Sequence, residues 1–212
     1  MITNGIVQLN DNSYTRWLRR RGLLTVAAVI LVATLISLAG EHIQLALQYD
    51  RNAIHSGEFW RLITGHIVHG SQQHTFVNVL GVILMSALFH RTYSYRSWLI
   101  IVIIGLLSID LGFWFLMPGL QWYVGLSGVL HAVLAAGAVA WWKTEPKPLA
   151  CLLTLIMVGK LIWEQTQGAL PLSGELPVVV NAHMYGEIGG LCGGLLRLRD
   201  MSTSSSQRVL TS

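Results

Sequence analysis

Gly125-Leu126-Ser127-Gly128 opens an apolar run that reaches Trp142, and Ala182-His183 stands near the start of another that reaches Leu196. A serine hydroxyl at the head of one apolar helix and an imidazole at the head of another are the minimum equipment for serine nucleophilic catalysis. The flanking glycines remove side-chain bulk around the serine, so a substrate backbone and a neighbouring helix can both come close. Small residues are common wherever transmembrane helices pack, so the tetrapeptide takes its meaning from the rest of the chain.

The rest is built for lipid. Of 212 residues, 53% are hydrophobic and 11% charged, with a mean hydropathy of +0.55. A soluble domain carries about 25% charged residues. Apolar runs cover 23–39, 74–89, 98–117, 126–142, 149–163 and 178–196, each near the length that a hydrocarbon layer of about 30 Å requires. The pattern predicts an all-α polytopic membrane protein, a six-transmembrane-helix bundle over residues 22–199. A cytoplasmic segment, 1–21, precedes it, and a Ser/Thr-rich disordered cytoplasmic tail, 200–212, follows. The first run follows basic residues, as a signal peptide would. It is too long for one and no small-residue cleavage site ends it before Glu41-His42, so it reads as a retained span. Cys151 and Cys192 fall inside apolar runs and read as buried packing residues with no disulfide.

The net charge is +4, and the basic residues gather at run ends. Arg16, Arg19, Arg20 and Arg21, then Arg91 and Arg96, Lys143 and Lys147, and Arg197 and Arg199 fall on one face. Residues 118–124 and 168–180 contain no Lys or Arg. The positive-inside rule then puts both termini in the cytoplasm. Such a distribution suits orientation in a lipid bilayer, and nucleic acid is a poor fit.

With that topology Ser127, His183, His74 and Asn78 share one depth, just below the outer surface. Polar side chains there should face the bundle interior or a water-filled cavity. His74 and Asn78 are four residues apart and so share a helix face. Neutral donors on that face would stabilise the oxyanion formed when Ser127 attacks a peptide carbonyl. Gly186, Gly190 and Gly194 form a stripe below His183. A glycine groove lets another helix approach closely, as a Ser–His hydrogen bond between helices requires.

The chain resembles the rhomboid intramembrane serine proteases over most of residues 22–199. The residues that carry the resemblance are Glu58-Phe59-Trp60-Arg61, His69, His74-x-x-x-Asn78, Gly125-x-Ser127-Gly128 and Ala182-His183-x-x-Gly186-x-x-x-Gly190. It implies a catalytic dyad of Ser127 and His183 and an oxyanion site at His74, Asn78 and the Gly125–Ser127 backbone. No metal or cofactor is implied. Six spans, small size and the string Gly-Leu-Ser-Gly-Val-Leu-His-Ala look like the rhombosortase branch. That branch implies single-span membrane protein substrates with a Gly-Gly-containing C-terminal sorting signal. It also implies a bacterial inner membrane location, with the site opening to the periplasmic side.

Several residues depart from the family pattern or stand outside it. His131 stands where many rhomboids have a tyrosine; four residues after Ser127, it is placed to stack on His183 or bond to it. Glu187, four residues after His183, reads as half of a buried ion pair with Lys160, or as a third member orienting His183. Asp110 is an intramembrane acid with no evident partner. His66 reads as a loop-structuring residue, and Trp60 and Arg61 as anchors of the first loop. Trp114, Trp122 and Tyr123 read as an outer aromatic belt, and Trp141-Trp142 as an inner one. Two other function classes stay open. One is a haem or metal membrane protein ligated by His74 and His183. The other is a catalytically inactive relative that binds transmembrane helices without cutting them.

Overall fold

A computed structural model describes the backbone of residues 13–169 and 178–209 and the side chains of 21–169 and 178–198. Residues 1–12, 170–177 and 210–212 lie outside it, and with them parts of the expected N-terminal segment, last outer loop and tail. Helix α1 (Ser13–Leu38) leads into a first loop with its own secondary structure. The loop holds α2 (Glu41–Leu47), β1 (Tyr49–Asp50), α3 (Arg51–His55) and α4 (Arg61–Thr64). Long helices follow: α5 (Gln72–Phe89), α6 (Tyr95–Leu111) with a π-helical turn at Gly112–Leu116, α7 (Ser127–Thr144), α8 (Lys147–Gln167) and α9 (Asn181–Val209). A short strand, β2 (Trp122–Tyr123), precedes α7. The helical backbone of α9 runs beyond Leu196 into the Ser/Thr-rich residues that were expected to lie outside the fold.

Local chemistry fixes the helix starts. The Ser71 hydroxyl accepts from His74 N–H at the head of α5, and the Ser94 hydroxyl from Ser97 N–H at the head of α6. Each satisfies an amide that the first turn leaves without a helical partner.

Among the described residues, α1, α5, α6 with its π turn, and α8 are long and apolar enough to cross a membrane by length and composition. Helices α7 and α9 fall below that measure because they carry the polar residues and glycines. Large apolar side chains such as Leu24, Leu31 and Leu35 on α1 and Leu155, Ile156 and Ile162 on α8 are exposed on the protein's surface. A bilayer is the environment that covers such a surface, and the protein is embedded in a membrane. Cys151 and Cys192 are free thiols but exposed, which corrects the expectation of burial. An apolar side chain in a spanning helix can face lipid as well as protein, so hydropathy alone does not bury it.

Helix α9 is the centre of the fold, gripped by α7 on one side and α6 on another. A Cβ built on Gly186 would lie 2.0 Å from the Gly128 carbonyl oxygen, and one on Gly190 2.1 Å from that of Ala132. One on Gly194 would lie 3.0 Å from Ala136 Cα. The stripe Gly186/Gly190/Gly194 thus lies directly on the stripe Gly128/Ala132/Ala136 of α7. A second stripe, Gly189 and Gly193, meets Gly105 and Ile101 of α6 in the same way. The Tyr93 hydroxyl, between α5 and α6, sits within hydrogen-bonding distance of the Ala136 carbonyl at 3.1 Å and the Gly194 carbonyl at 3.2 Å, joining the lower ends of the pair.

The first loop and the segment before α7 brace one another. Strands β1 and β2 pair antiparallel, with Tyr49 opposite Tyr123 and Asp50 opposite Trp122. Arg51 N–H donates to Gln121 O at 2.9 Å and Gly125 N–H to Gly65 O at 3.1 Å. The Arg51 guanidinium donates to the Phe113 and Trp114 carbonyls at 3.1 and 2.7 Å, closing the π turn at the end of α6. Arg61 is buried and ties the loop together. It donates to Glu58 Oε2 at 2.7 Å, Leu45 O at 2.8 Å and Gln48 O at 2.9 Å.

Candidate active site

Close packing of α7 on α9 brings together two side chains that the sequence holds far apart. Ser127 is the first residue of α7 and His183 lies in the first turn of α9. His183 Nε2 stands 2.8 Å from Ser127 Oγ, and the imidazole is buried. On the other side of the ring, His183 Nδ1 lies 2.8 Å from Glu164 Oε2 of α8. Lys160, one turn earlier on α8, donates to Glu164 Oε1 at 2.5 Å. Its Nζ also lies 2.9 Å from His131 Nε2 of α7. His131 Nδ1 closes the circuit at 2.7 Å from the Ser127 carbonyl oxygen. The His131 and His183 rings stack, with centroids 4.0 Å apart and planes 13° from parallel.

With both imidazoles neutral, the donors and acceptors of this circuit can be arranged in one way. A carbonyl oxygen only accepts, so His131 carries its proton on Nδ1. Its Nε2 then offers a lone pair, which Lys160 satisfies. A carboxylate only accepts, so His183 Nδ1–H donates to Glu164. That leaves the lone pair of His183 Nε2 facing the Ser127 hydroxyl, the tautomer a general base needs.

Gly125 and His74 form the opposite wall. Gly125 has φ +133°, a conformation that side-chain-bearing residues rarely adopt. A Cβ there would also lie 3.0 and 3.2 Å from His74 Cε1 and Nε2. The absent side chain leaves the His74 ring space beside Ser127. Tyr123, read from the sequence as part of an aromatic belt, is buried instead. Its hydroxyl donates to Gly125 O at 2.6 Å and so fixes the turn that presents Ser127. Burial pushes its phenol above the ordinary tyrosine range, so the hydroxyl stays protonated and a donor. Asn78 is buried on the same face as His74, but its Nδ2 donates back to the His74 carbonyl at 2.9 Å. A cavity of about 170 Å³ opens beside these groups. Its walls include Ser127, His74, Val178 and Val179, with Glu41, Gln44 and Gln48 of the first loop over it.

The remaining acids and histidines pair differently from the sequence reading. Lys160 bonds Glu164, and Glu187 Oε1 is buried without a hydrogen-bond partner. Glu187 is therefore neither the ion-pair partner of Lys160 nor the carboxylate on His183. Glu164 takes both places, and sequence reasoning missed it. The available signal was its i, i+4 spacing from Lys160 inside an apolar span. Asp110 finds its partner in His66, at 3.2 Å to Nε2. His69 is buried in the loop with its ring edge-on to His74, centroids 5.0 Å apart. Burial first, and then the neighbouring His74, hold the His69 imidazole down at about 4.

His131, Glu164 and His183 also place three metal-ligand-type atoms within 4.8 Å of one another. The Lys160 ammonium bonds two of these residues and supplies the positive charge that a metal ion would bring. His183, one ligand of the haem alternative, has both ring nitrogens engaged by protein groups.

A family model of the rhomboid domain matches residues 56–200, from the first loop through α9. The chain belongs to the rhomboid family, whose members are generally intramembrane serine proteases acting on transmembrane substrates within the bilayer. A search of curated proteins finds no match to the chain.

Proposed function

We propose that this protein is an active intramembrane serine endopeptidase with Ser127 as nucleophile and His183 as general base. The observation that carries the reading is the 2.8 Å approach of His183 Nε2 to Ser127 Oγ beside a small cavity. Ser127 Oγ attacks the scissile carbonyl carbon as its proton passes to His183 Nε2. The tetrahedral oxyanion is met by the Ser127 N–H, by His74 and by the second N–H of Asn78 Nδ2, whose first is held by the His74 carbonyl. His183 then returns the proton to the leaving amine, and water hydrolyses the acyl-enzyme by the same route.

Six spanning helices, both termini in the cytoplasm and a site opening to the periplasmic face of a bacterial inner membrane complete the reading. The charge asymmetry of the sequence supports this orientation. Helices α7 and α9, too polar to qualify as spans by composition, pack their glycines and polar residues against each other, α6 and α8, while α9 turns Ile188, Leu195 and Leu196 outward. The substrates are single-span proteins cut at a C-terminal Gly-Gly-containing signal of the rhombosortase type. A cavity of about 170 Å³ suits small residues, since pockets for larger ligands run from about 300 Å³ upward. The test is cleavage, in proteoliposomes, of a single-span substrate with a Gly-Gly signal. Cleavage is expected with the wild type and not with Ser127→Ala or His183→Ala. Cleavage retained by Ser127→Ala would overturn the proposal, and substrate capture without cleavage by the wild type would favour the binding-only alternative.

A further inference from the structure

We propose that Glu164 and Lys160 of α8 act as a positioning pair for His183, making the site a Ser127–His183–Glu164 triad with a built-in counter-charge. This inference rests on the protease reading of Ser127 and His183 and extends it to a third helix. A buried carboxylate on His183 Nδ1 does two things. It holds the ring in the tautomer whose Nε2 lone pair faces Ser127, and it stabilises the imidazolium formed when the serine proton arrives. The proton moves from Oγ to Nε2 as the Oγ–C bond forms. The Nδ1 proton stays on nitrogen and Glu164 stays ionised.

An uncompensated carboxylate in this setting would be costly, and a hydrogen-bonded cation offsets it. Lys160 supplies that cation and uses a second N–H on His131 Nε2. His131 is thereby oriented twice, by Lys160 on one side and the Ser127 carbonyl on the other. Its ring forms a flat wall against His183. One lysine therefore fixes the angle of the base through both of its neighbours, Glu164 in the ring plane and His131 across the ring face.

The charged and titratable groups around His183 are His131 from α7, Lys160 and Glu164 from α8, His74 from α5 and Glu187 on α9 itself. Helix α6 approaches α9 through Ile101, Gly105 and Ser108, none of which titrates, while its Asp110 pairs with His66. The two α8 residues bear on His183 with opposite signs, and so their removal has opposite signatures.

The experiment is the pH–rate profile of substrate cleavage in proteoliposomes for wild type, Glu164→Gln, Lys160→Met and Glu187→Gln. Folding is checked by elution and thermal unfolding in detergent. Glu164→Gln should lower kcat by about 100-fold or more with KM changed less than about threefold, since only the base is disturbed. Its acid limb should move to lower pH, because the imidazolium loses a carboxylate. Lys160→Met should move the acid limb to higher pH, by about one unit, because Glu164 then acts uncompensated. Glu187→Gln should leave the profile in place. A Glu164→Gln enzyme with wild-type kcat and profile would overturn the inference, as would a loss of kcat confined to Glu187→Gln. Should Glu164→Gln not fold, the direction of the Lys160→Met shift decides, an unmoved acid limb overturning it. Ser127→Ala run alongside separates the two levels: cleavage surviving there sinks the protease reading itself.

Discussion

Helix α9 carries the His183 imidazole and α8 bonds it through Glu164, but the two helices are held in the molecule by opposite means. Helix α9 is fixed backbone to backbone, with Gly186 and Gly190 lying on α7 and Gly189 on α6 at distances that admit no Cβ. Helix α8 turns most of its side chains outward. Its buried residues, Ala150, Met157 and Glu164, follow one another at seven-residue intervals along a single seam. One helix is placed by shape, the other by a narrow seam that ends in a charged hydrogen bond. Shape complementarity between glycine stripes resists any added atom, whereas a lipid-facing surface tolerates exchange of one apolar group for another.

The largest effect should come from breaking the close pair. Gly190→Val places a branched side chain where even a Cβ would sit 2.1 Å from the Ala132 carbonyl. Thermal unfolding in detergent should show a loss of about 4 kcal/mol or more, with activity gone. At the other extreme, Ile156→Ala on α8 removes a side chain that is 59% exposed. It should change stability by less than about 1 kcal/mol, because no packed cavity is created. Equal losses in the two variants would erase the distinction between the helices.

Between these lies a pH effect rooted in the loop above the close pair. His69 titrates at about 4 in the folded protein against an ordinary 6.5. The unfolded chain therefore binds the extra proton first. The contribution of His69 to stability is complete above pH 6.5 and is lost progressively as pH falls to 4. The loss is roughly 3 kcal/mol. Unfolding temperatures measured from pH 7 to pH 4 should fall for the wild type, and the fall should be shallower in His69→Phe. Parallel curves for the two proteins would remove His69 from the account.

The same contrast explains how far the sequence could be read. The glycine spacing of α9 and the glycines beside Ser127 are local patterns with a direct geometric meaning, so a close approach of two helices at Ser127 and His183 could be expected. The Ala132/Ala136 stripe that receives the glycines emerges only from the packing. Glu164 was not legible, because a single acid in an apolar run does not reveal its rotation about the helix or its depth relative to another span. Lys160 was visible as a buried cation, but Glu187 and Glu164 were both within its reach on paper. Only the packing of α8 chooses between them. Tyr123 was misread for a related reason. An aromatic residue at a helix boundary resembles a membrane belt until β1 pairs with β2 and turns it inward. The cysteines show the reverse error, apolar context being taken for protein burial when lipid serves equally well.

The measurement that bears most directly on the account is covalent labelling of the purified, detergent-solubilised protein with a fluorescent fluorophosphonate, beside Ser127→Ala and His183→Ala. The account predicts labelling of the wild type and none of either variant, because the hydroxyl is reactive only while Nε2 of His183 accepts its proton. Labelling that persists in Ser127→Ala, or a correctly folded wild type that takes no label, would contradict it.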